Sequence, residues 1–565
     1  MIKRILSTIA AVLMLFTLVS CFSSCEELLG DIEAIQSLLE SLEDLGYLEN
    51  FENLEGIGGT HHETATAEKD TFGDGYDDWC ENDTESEDFP WDDETYLDEE
   101  SESESYIETQ PVEIYPSTVE RNNYGEEFNL WILPDVNPIS YYWVEYNEGD
   151  IMSEALYARQ QQVYDYLGVE IIGSSAGNYR IYAMSFQTAV ICKDGSVDCL
   201  ISHVNTGIPG FIKGDTKTSY LMDFNDLDGV DLEADYWNTE IMDELAIDGK
   251  RYLGFSDINI PYTHVVAFNK DMMDQYAGSM EDSIYDLVDA KLWTLEQMFA
   301  LARLVSIDKT GDGKTPDDVY GLTGQQWVPW VGFFKSSDID LVEQDPLSGD
   351  YELSFMEAGN KTKTAELIDM LKYFSASEYA YLTFPEYGSV PTNPVPLESG
   401  RALMELTSTF DLVEYQKYDV NFGVVPYPLY DKDQEDYKSL QWGGFLCVPA
   451  YLSNEIMVGE TLEVMSYYSD GVREAFFEKT LGEQTFDSPE DVRMLEEHVW
   501  KNLCTDFGQV YSEEASGVLY FLPYVTRPVE EGGKEMMSYY ASFSTSSNKS
   551  IDKFVQIVSN LEDSD

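Results

Sequence analysis

A chain of 565 residues with 108 acidic and only 32 basic side chains carries a formal net charge of -76. That balance excludes nucleic acid as a partner, since no basic surface exists to release phosphate counterions, and it repels other anionic polymers. The 43% hydrophobic and 13% aromatic content can nevertheless fill the cores of two lobes, so the acidity is added to a globular protein.

In chain order, Lys3 and Arg4 precede an apolar run to Val19 that is short for a spanning helix and right for a secretory signal over 1–20. Its end, Leu18-Val19-Ser20-Cys21, resembles the lipobox of bacterial lipoproteins, which implies lipidation of Cys21 and anchoring to an outer membrane face. From Glu26 to Glu120 the sole cation is Lys69, and the Asp/Glu/Ser-rich stretch 70–104 cannot bury enough apolar area to offset its ordering entropy. Residues 21–120 are therefore expected to form a disordered acidic tether, with room for a short amphipathic helix over Glu26–Leu45. Six cysteines follow Cys21 without a metal-binding C-x-x-C pair; Cys192 and Cys199 are spaced either for a bridge across a hairpin or for two buried thiols.

The folded part, 121–565, opens with strand, helix, strand, helix and strand patterns at Phe128–Pro134, Met152–Leu167, Val169–Ile172, Ala183–Ile191 and Cys199–Ile201. This is the spacing of parallel strands joined by helical crossovers, an α/β lobe. Ligands bind such sheets at the carboxyl ends of the strands, which draws attention to the loop His203–Gly210.

Further on, Thr294 can cap a helix in which Leu295, Met298, Phe299 and Ala302 recur at helical spacing. It runs into D-K-T-G-D-G-K-T-P-D-D. Asp308, Thr310 and Asp312 alternate ahead of Gly313, as hard oxygen ligands do at the start of an EF-hand-type loop. Lys314 would offer its carbonyl and Asp317 or Asp318 the closing carboxylate, giving a structural Ca2+ site, although the same residues also build metal-free turns. The stretch Gln325–Phe334 places Trp327 and Trp330 beside two glutamines, either an apolar stacking surface with amide partners for a sugar or simply core. Thr364–Phe374 and Gly400–Glu405 read as helices, with a strand and turn at Ser408–Phe410. Leu440–Pro449 reads as a returning strand, and the helices Glu463–Asp506 and Lys549–Leu561 close the chain.

Four segments in this order, Y-T-H-V-V-A-F-N-K-D-M from Tyr262, the Trp293–Leu322 stretch, S-G-R-A-L-M from Ser399 and F-G-V-V-P-Y-P from Phe422, resemble the extracellular solute-binding lipoproteins of bacterial ABC importers. This is the group that includes maltose- and oligosaccharide-binding proteins; F-x-x-x-x-L-G from Phe476 and D-F-G-Q-V-Y from Asp506 resemble its gut clostridial members. The resemblance implies a two-lobe periplasmic-binding-protein-like α/β fold with a hinge. Its lobes would be about 126–260 with 440–500, and about 263–435 with 505–560. It also implies capture of a small solute, most expectedly an oligosaccharide, by a monomer that delivers it to permease subunits. By this resemblance His203, Asn205 and Phe410 are ligand contacts, although the family's charged residues are missing around His203, and Trp237 in its D-Y-W-N landmark either lines the cleft or is lobe packing. Tyr262 and Trp442 fall at the crossings between lobes, where Gly443 and Gly444 let the backbone bend. No H-E-x-x-H, G-x-S-x-G, phosphate loop or dinucleotide motif is present, and the five histidines lack zinc-ligand spacing, so no enzyme is expected. The alternatives are a surface polysaccharide adhesin or sensor and, behind it, a secreted glycan-active enzyme.

Overall fold

The computed structural model describes residues 118–562, apart from 135–136, 180, 385–392, 416, 419, 478–487 and 516. The expected signal segment, Cys21, the helix over 26–45 and the acidic tether lie outside the described residues. The chain divides into Met1–Glu113 and Ile114–Asp565, and the second unit is the one treated below.

Three parallel strands begin it: β1 (Glu126–Ile132), β2 (Val169–Ser175) and β3 (Cys199–Ile201), with β1 in the middle. Phe128, Leu130 and Ile132 alternate into one fully buried face, the period-2 pattern that fixes the register Phe128↔Ile171 and Leu130↔Cys199. The crossovers are the helices Ile151–Leu167 and Tyr182–Cys192, as the spacing predicts. The first starts where the Asp150 side chain accepts the Ser153 N–H and stops at Gly168, whose φ of 66° suits a residue without Cβ.

A second sheet contains β4 (His264–Asn269), β5 (Ser306–Ile307), β6 (Val319–Gln325), β7 (Ala380–Thr383), β8 (Ala402–Ser408) and β9 (Phe422–Val425). Its order is β9-β4-β8-β6-β5, and β7 also pairs with β6. The chain then returns to the first sheet as β10 (Leu446–Cys447), antiparallel to β3. The molecule thus has two α/β lobes, one per sheet, linked by chain passes just before β4 and just before β10.

Two expectations fail here for one reason. Gly400–Glu405 is not a helix but the approach to and first half of β8, whose seven residues are all buried, and a helix Thr409–Tyr415 follows where a turn was expected. A short apolar run covered on both faces has no polar side to reveal its period, so pairing with β4 and β6 decides its conformation. Within β8, Glu405 accepts hydrogen bonds from Asn393 Nδ2 (2.6 Å), the Leu397 N–H (2.6 Å) and the Tyr415 hydroxyl (2.9 Å), with no cation among its partners in the described residues.

The C-terminal part packs on both lobes. The helix Glu455–Tyr467 lies against Ile151–Leu167. Pro489–Trp500 lies on β9, where the buried carboxylate of Asp491 accepts the Val424 N–H and pairs with Lys270 at 2.7 Å. The last helix spans Met536–Ser559, longer than the expected Lys549–Leu561. Phe543, Ile551, Phe554 and Val558 form its buried stripe, while its Ser- and Tyr-rich first half gave no apolar signal. Cys199, Cys447 and Cys504 are free thiols, so the Cys192–Cys199 bridge is not formed.

Candidate solute cleft

Both lobes turn the carboxyl ends of their parallel strands toward the linking passes. Ile201, which ends β3, pairs with Leu446 at the start of β10; Ser408, which ends β8, pairs with His264 at the start of β4. The passes are laced together at this point. Thr263 Oγ1 donates to Leu440 O (2.8 Å), Thr409 Oγ1 to Pro261 O (3.1 Å), and the Trp442 N–H to Tyr262 O (2.6 Å). Buried Asn137 donates to Ser202 O (2.9 Å) and accepts the Gly444 N–H (3.1 Å), tying the exits of β1 and β3 to the second pass. Glycine is required at 444 by close approach rather than by bending: a Cβ there would lie 1.9 Å from Ser202 O.

Around this junction the second lobe presents an aromatic wall. Tyr262 and Phe410 stack in parallel, 4.8 Å apart with planes 10° from each other, and Tyr141 of the first lobe meets Phe410 edge-on at 5.0 Å. Behind them His264 lies edge-on to Trp442 at 5.8 Å. Burial pushes the His264 imidazole down to about 3, so the ring is neutral and serves as one more aromatic surface. Trp442, at 5% exposure, backs the wall rather than fronting it.

The first lobe contributes the loop after β3. His203 Nδ1 accepts the N–H groups of Asn205 (3.2 Å) and Thr206 (3.3 Å), which folds the loop around the imidazole. The Tyr182 hydroxyl donates to Thr206 O, and Glu513 accepts the Gly207 N–H at 3.1 Å. Asn205 is buried and His203 partly exposed, so of the two expected contacts the imidazole is the more open.

The tryptophans separate by environment. Trp327 stays partly exposed at the end of β6, stacked on Tyr520 at 4.0 Å and 8° and met edge-on by Phe384 and Tyr524. Trp330, three residues later, is fully buried; its indole donates to Thr526 Oγ1 (2.9 Å) and its ring meets Phe333. Trp237 is also interior, donating to Glu463 (2.9 Å) and packing edge-on against Phe224. The expected contact surface thus shrinks, because both buried indoles already have hydrogen-bond partners in the core. Tyr141, Phe384, Tyr520 and Tyr524 are the residues that sequence reasoning missed; Y-F-L-P-Y from Tyr520 is the only local signal among them.

In the acidic loop, ligand atoms of Asp308, Asp312 and Asp318 come within 4.8 Å of one another. Asp308 accepts the N–H groups of Thr310, Gly311 and Gly313, and the Thr310 hydroxyl donates to Asp312. The N–H of Lys309, with that of Thr315, holds the Asp318 carboxyl below the usual carboxylate range. Asp317 stands outside the cluster, and the Lys314 ammonium is directed to Ser377 O (3.0 Å) and Ser375 O (3.3 Å).

The family model described as bacterial extracellular solute-binding protein matches residues 171–470, more than half of the chain. No protein of curated function matches significantly. Solved structures that resemble the chain include an ABC substrate-binding protein from Listeria monocytogenes in complex with cycloalternan. Its TM-score is 0.46 at 13% identity, over 77% of this chain and 100% of that one. A cyclic alpha-maltosyl-1,6-maltose binding protein from Arthrobacter globiformis gives 0.49 and 13% over 76% and 99%. A maltose/maltodextrin-binding domain from Bdellovibrio bacteriovorus bound to maltotriose gives 0.45 and 12% over 76% and 100%. Among the described residues no helix is long and apolar enough to cross a membrane. Matched by that family model over more than half of its length, the chain belongs to the bacterial extracellular solute-binding proteins.

Proposed function

We propose that this chain captures a neutral oligosaccharide between its lobes and hands it to an ABC importer, acting as a binder and not as an enzyme. The observation that carries the reading is the parallel Tyr262–Phe410 pair at the junction where the strand ends of both sheets converge. Sugar rings expose C–H faces that pack on aromatic rings and hydroxyls that need fixed polar partners. Tyr262, Phe410 and Trp327 supply the first, with Trp442 behind them; His203 and Asn205 supply the second from the opposite lobe. A solute touching both lobes binds the closed arrangement better and shifts the population toward it, which lets a permease distinguish loaded from empty protein by shape. Lipidation at Cys21 would hold the monomer at the outer face of the membrane, and the acidic segment would give it reach.

The test is a thermal-shift and calorimetric screen of the full chain against maltodextrins, cyclic glucans and other neutral glycans. A binding glycan raises the melting temperature by mass action, and small-angle scattering at saturation should show compaction. Binding without compaction removes the closure mechanism and favours an adhesin or sensor; no response to any glycan removes the oligosaccharide. Cys21→Ala should leave the membrane fraction.

Ca2+ at Asp308, Asp312 and Asp318, with the Thr310 hydroxyl beside them, belongs to the same reading. The donor set is all hard oxygen, and the ion would neutralise three crowded carboxylates and brace the loop without taking part in chemistry. A melting temperature of the chelator-treated, metal-depleted protein that added Ca2+ leaves unchanged overturns this assignment.

A further inference from the structure

Beyond Phe476, which packs edge-on against Tyr141 and Phe410 of the aromatic wall, a cavity of about 390 Å3 opens between the short helix Asp470–Glu474 and the stretch Met494–Trp500. Its volume lies within the roughly 300–1,000 Å3 of small-molecule sites. Its two sides join one core: Val472, Phe476 and Phe477 of the first side bury themselves with Leu495 and Val499 of the second and with Val265, Phe422 and Val424 of the second sheet, and Ser469, at the start of the first side, accepts a hydrogen bond from buried Arg159 of the helix Ile151–Leu167.

Three features set this cavity apart from a packing gap. Met494–Trp500 is a π-helix, and residues 475–477 opposite adopt the same conformation, a costly arrangement that recurs at functional sites. Trp500 is partly exposed in the wall, met edge-on by Phe477 at 3.7 Å and with the Arg473 guanidinium 5.5 Å from its ring centre. Polar groups of both signs surround it: Arg473, held at 2.8 Å by Asp257, and Lys501, which forms no ion pair with a described residue, face the exposed carboxylates of Asp470, Glu496 and Glu497.

We propose that this cavity is a second saccharide site, outside the cleft, for a short neutral sugar. Trp500 offers the apolar surface for a ring face, the carboxylates accept from vicinal hydroxyls, and Lys501 donates to ring or hydroxyl oxygens. Acid groups outnumber bases around the cavity, which disfavours uronic acids and sugar phosphates.

Saturation-transfer NMR on the full chain with glucose, galactose and mannose tests the site. Transfer to at least one sugar is expected, kept in Trp327→Leu and reduced about tenfold in affinity in Glu496→Gln/Glu497→Gln, whose exposed positions leave folding intact. Trp500→Ala should abolish it. Transfer that disappears in Trp327→Leu assigns the sugar to the cleft, overturning this inference while leaving the solute reading in place. No transfer in the wild type, or equal transfer in the double variant and the wild type, also overturns it; the solute reading is judged separately, on longer glycans.

Discussion

Trp330 with Trp237 on one side, and Phe410 with Tyr262 on the other, are four large aromatic residues with opposite assignments in the fold. The first two are buried with their indole N–H groups satisfied by Thr526 and Glu463, so nothing polar is left for a ligand to complete. Phe410 and Tyr262 are partly exposed and stacked beside the passes between the two sheets, and in the proposed function a solute completes their surroundings. Residue type does not separate the two groups; what does is whether the protein itself already surrounds the ring.

The largest expected effect that sharpens this contrast is on stability. Trp330→Ala leaves a cavity in the second lobe and should cost about 3–5 kcal/mol in chemical denaturation. A loss below about 1 kcal/mol, accompanied by weakened sugar binding, would move Trp330 to the ligand side of the comparison.

Glu405 comes next, a buried polar group placed like Trp330 in the core of the second lobe. Burial raises its carboxyl from 4.5 to about 7, against the opposing hydrogen bonds from Asn393, Leu397 and Tyr415. Between those values the native state holds a proton that the unfolded chain has released. Its stabilising contribution is therefore complete below about pH 4.5 and lost as pH rises through 7, about 3 kcal/mol in all. The difference in stability between wild type and Glu405→Gln, measured from pH 4.5 to 8, should follow that curve; a flat difference refutes it.

On the other side of the comparison, Phe410→Ala should weaken glycan binding by about 1–3 kcal/mol in calorimetry, with a melting temperature close to that of the wild type. Unchanged affinity would take the Tyr262–Phe410 stack out of the site. The smallest effect is expected at Trp327, which shares both characters. Trp327→Leu removes its parallel contact with Tyr520 and should cost about 1 kcal/mol of stability. A loss as large as that of Trp330→Ala would make Trp327 another core residue.

Much of this was legible in the chain itself. Alternation in Phe128–Ile132, helical spacing after Asp150 and the short apolar run Cys199–Ile201 specify a parallel α/β lobe, because each pattern demands one buried face and each connection is long enough to carry the crossover helix that parallel pairing requires. The capped helix Leu295–Ala302 and the alternating oxygens of Asp308–Asp312 were equally local, since capping and loop chemistry depend on neighbours a few residues away. Only tertiary structure could decide the rest. Ala402–Ser408 became a strand because β4 and β6 stand ready to pair with it on either side. Asp318 rather than Asp317 joined the cluster because the N–H groups of Lys309 and Thr315 hold it there. Trp327 and Trp330 parted because the helix Val328–Ser336 turns one ring toward Tyr520 at the surface and the other into the interior beside Thr526. A side chain's exposure depends on what lies across from it, often hundreds of residues away, and no local pattern carries that information.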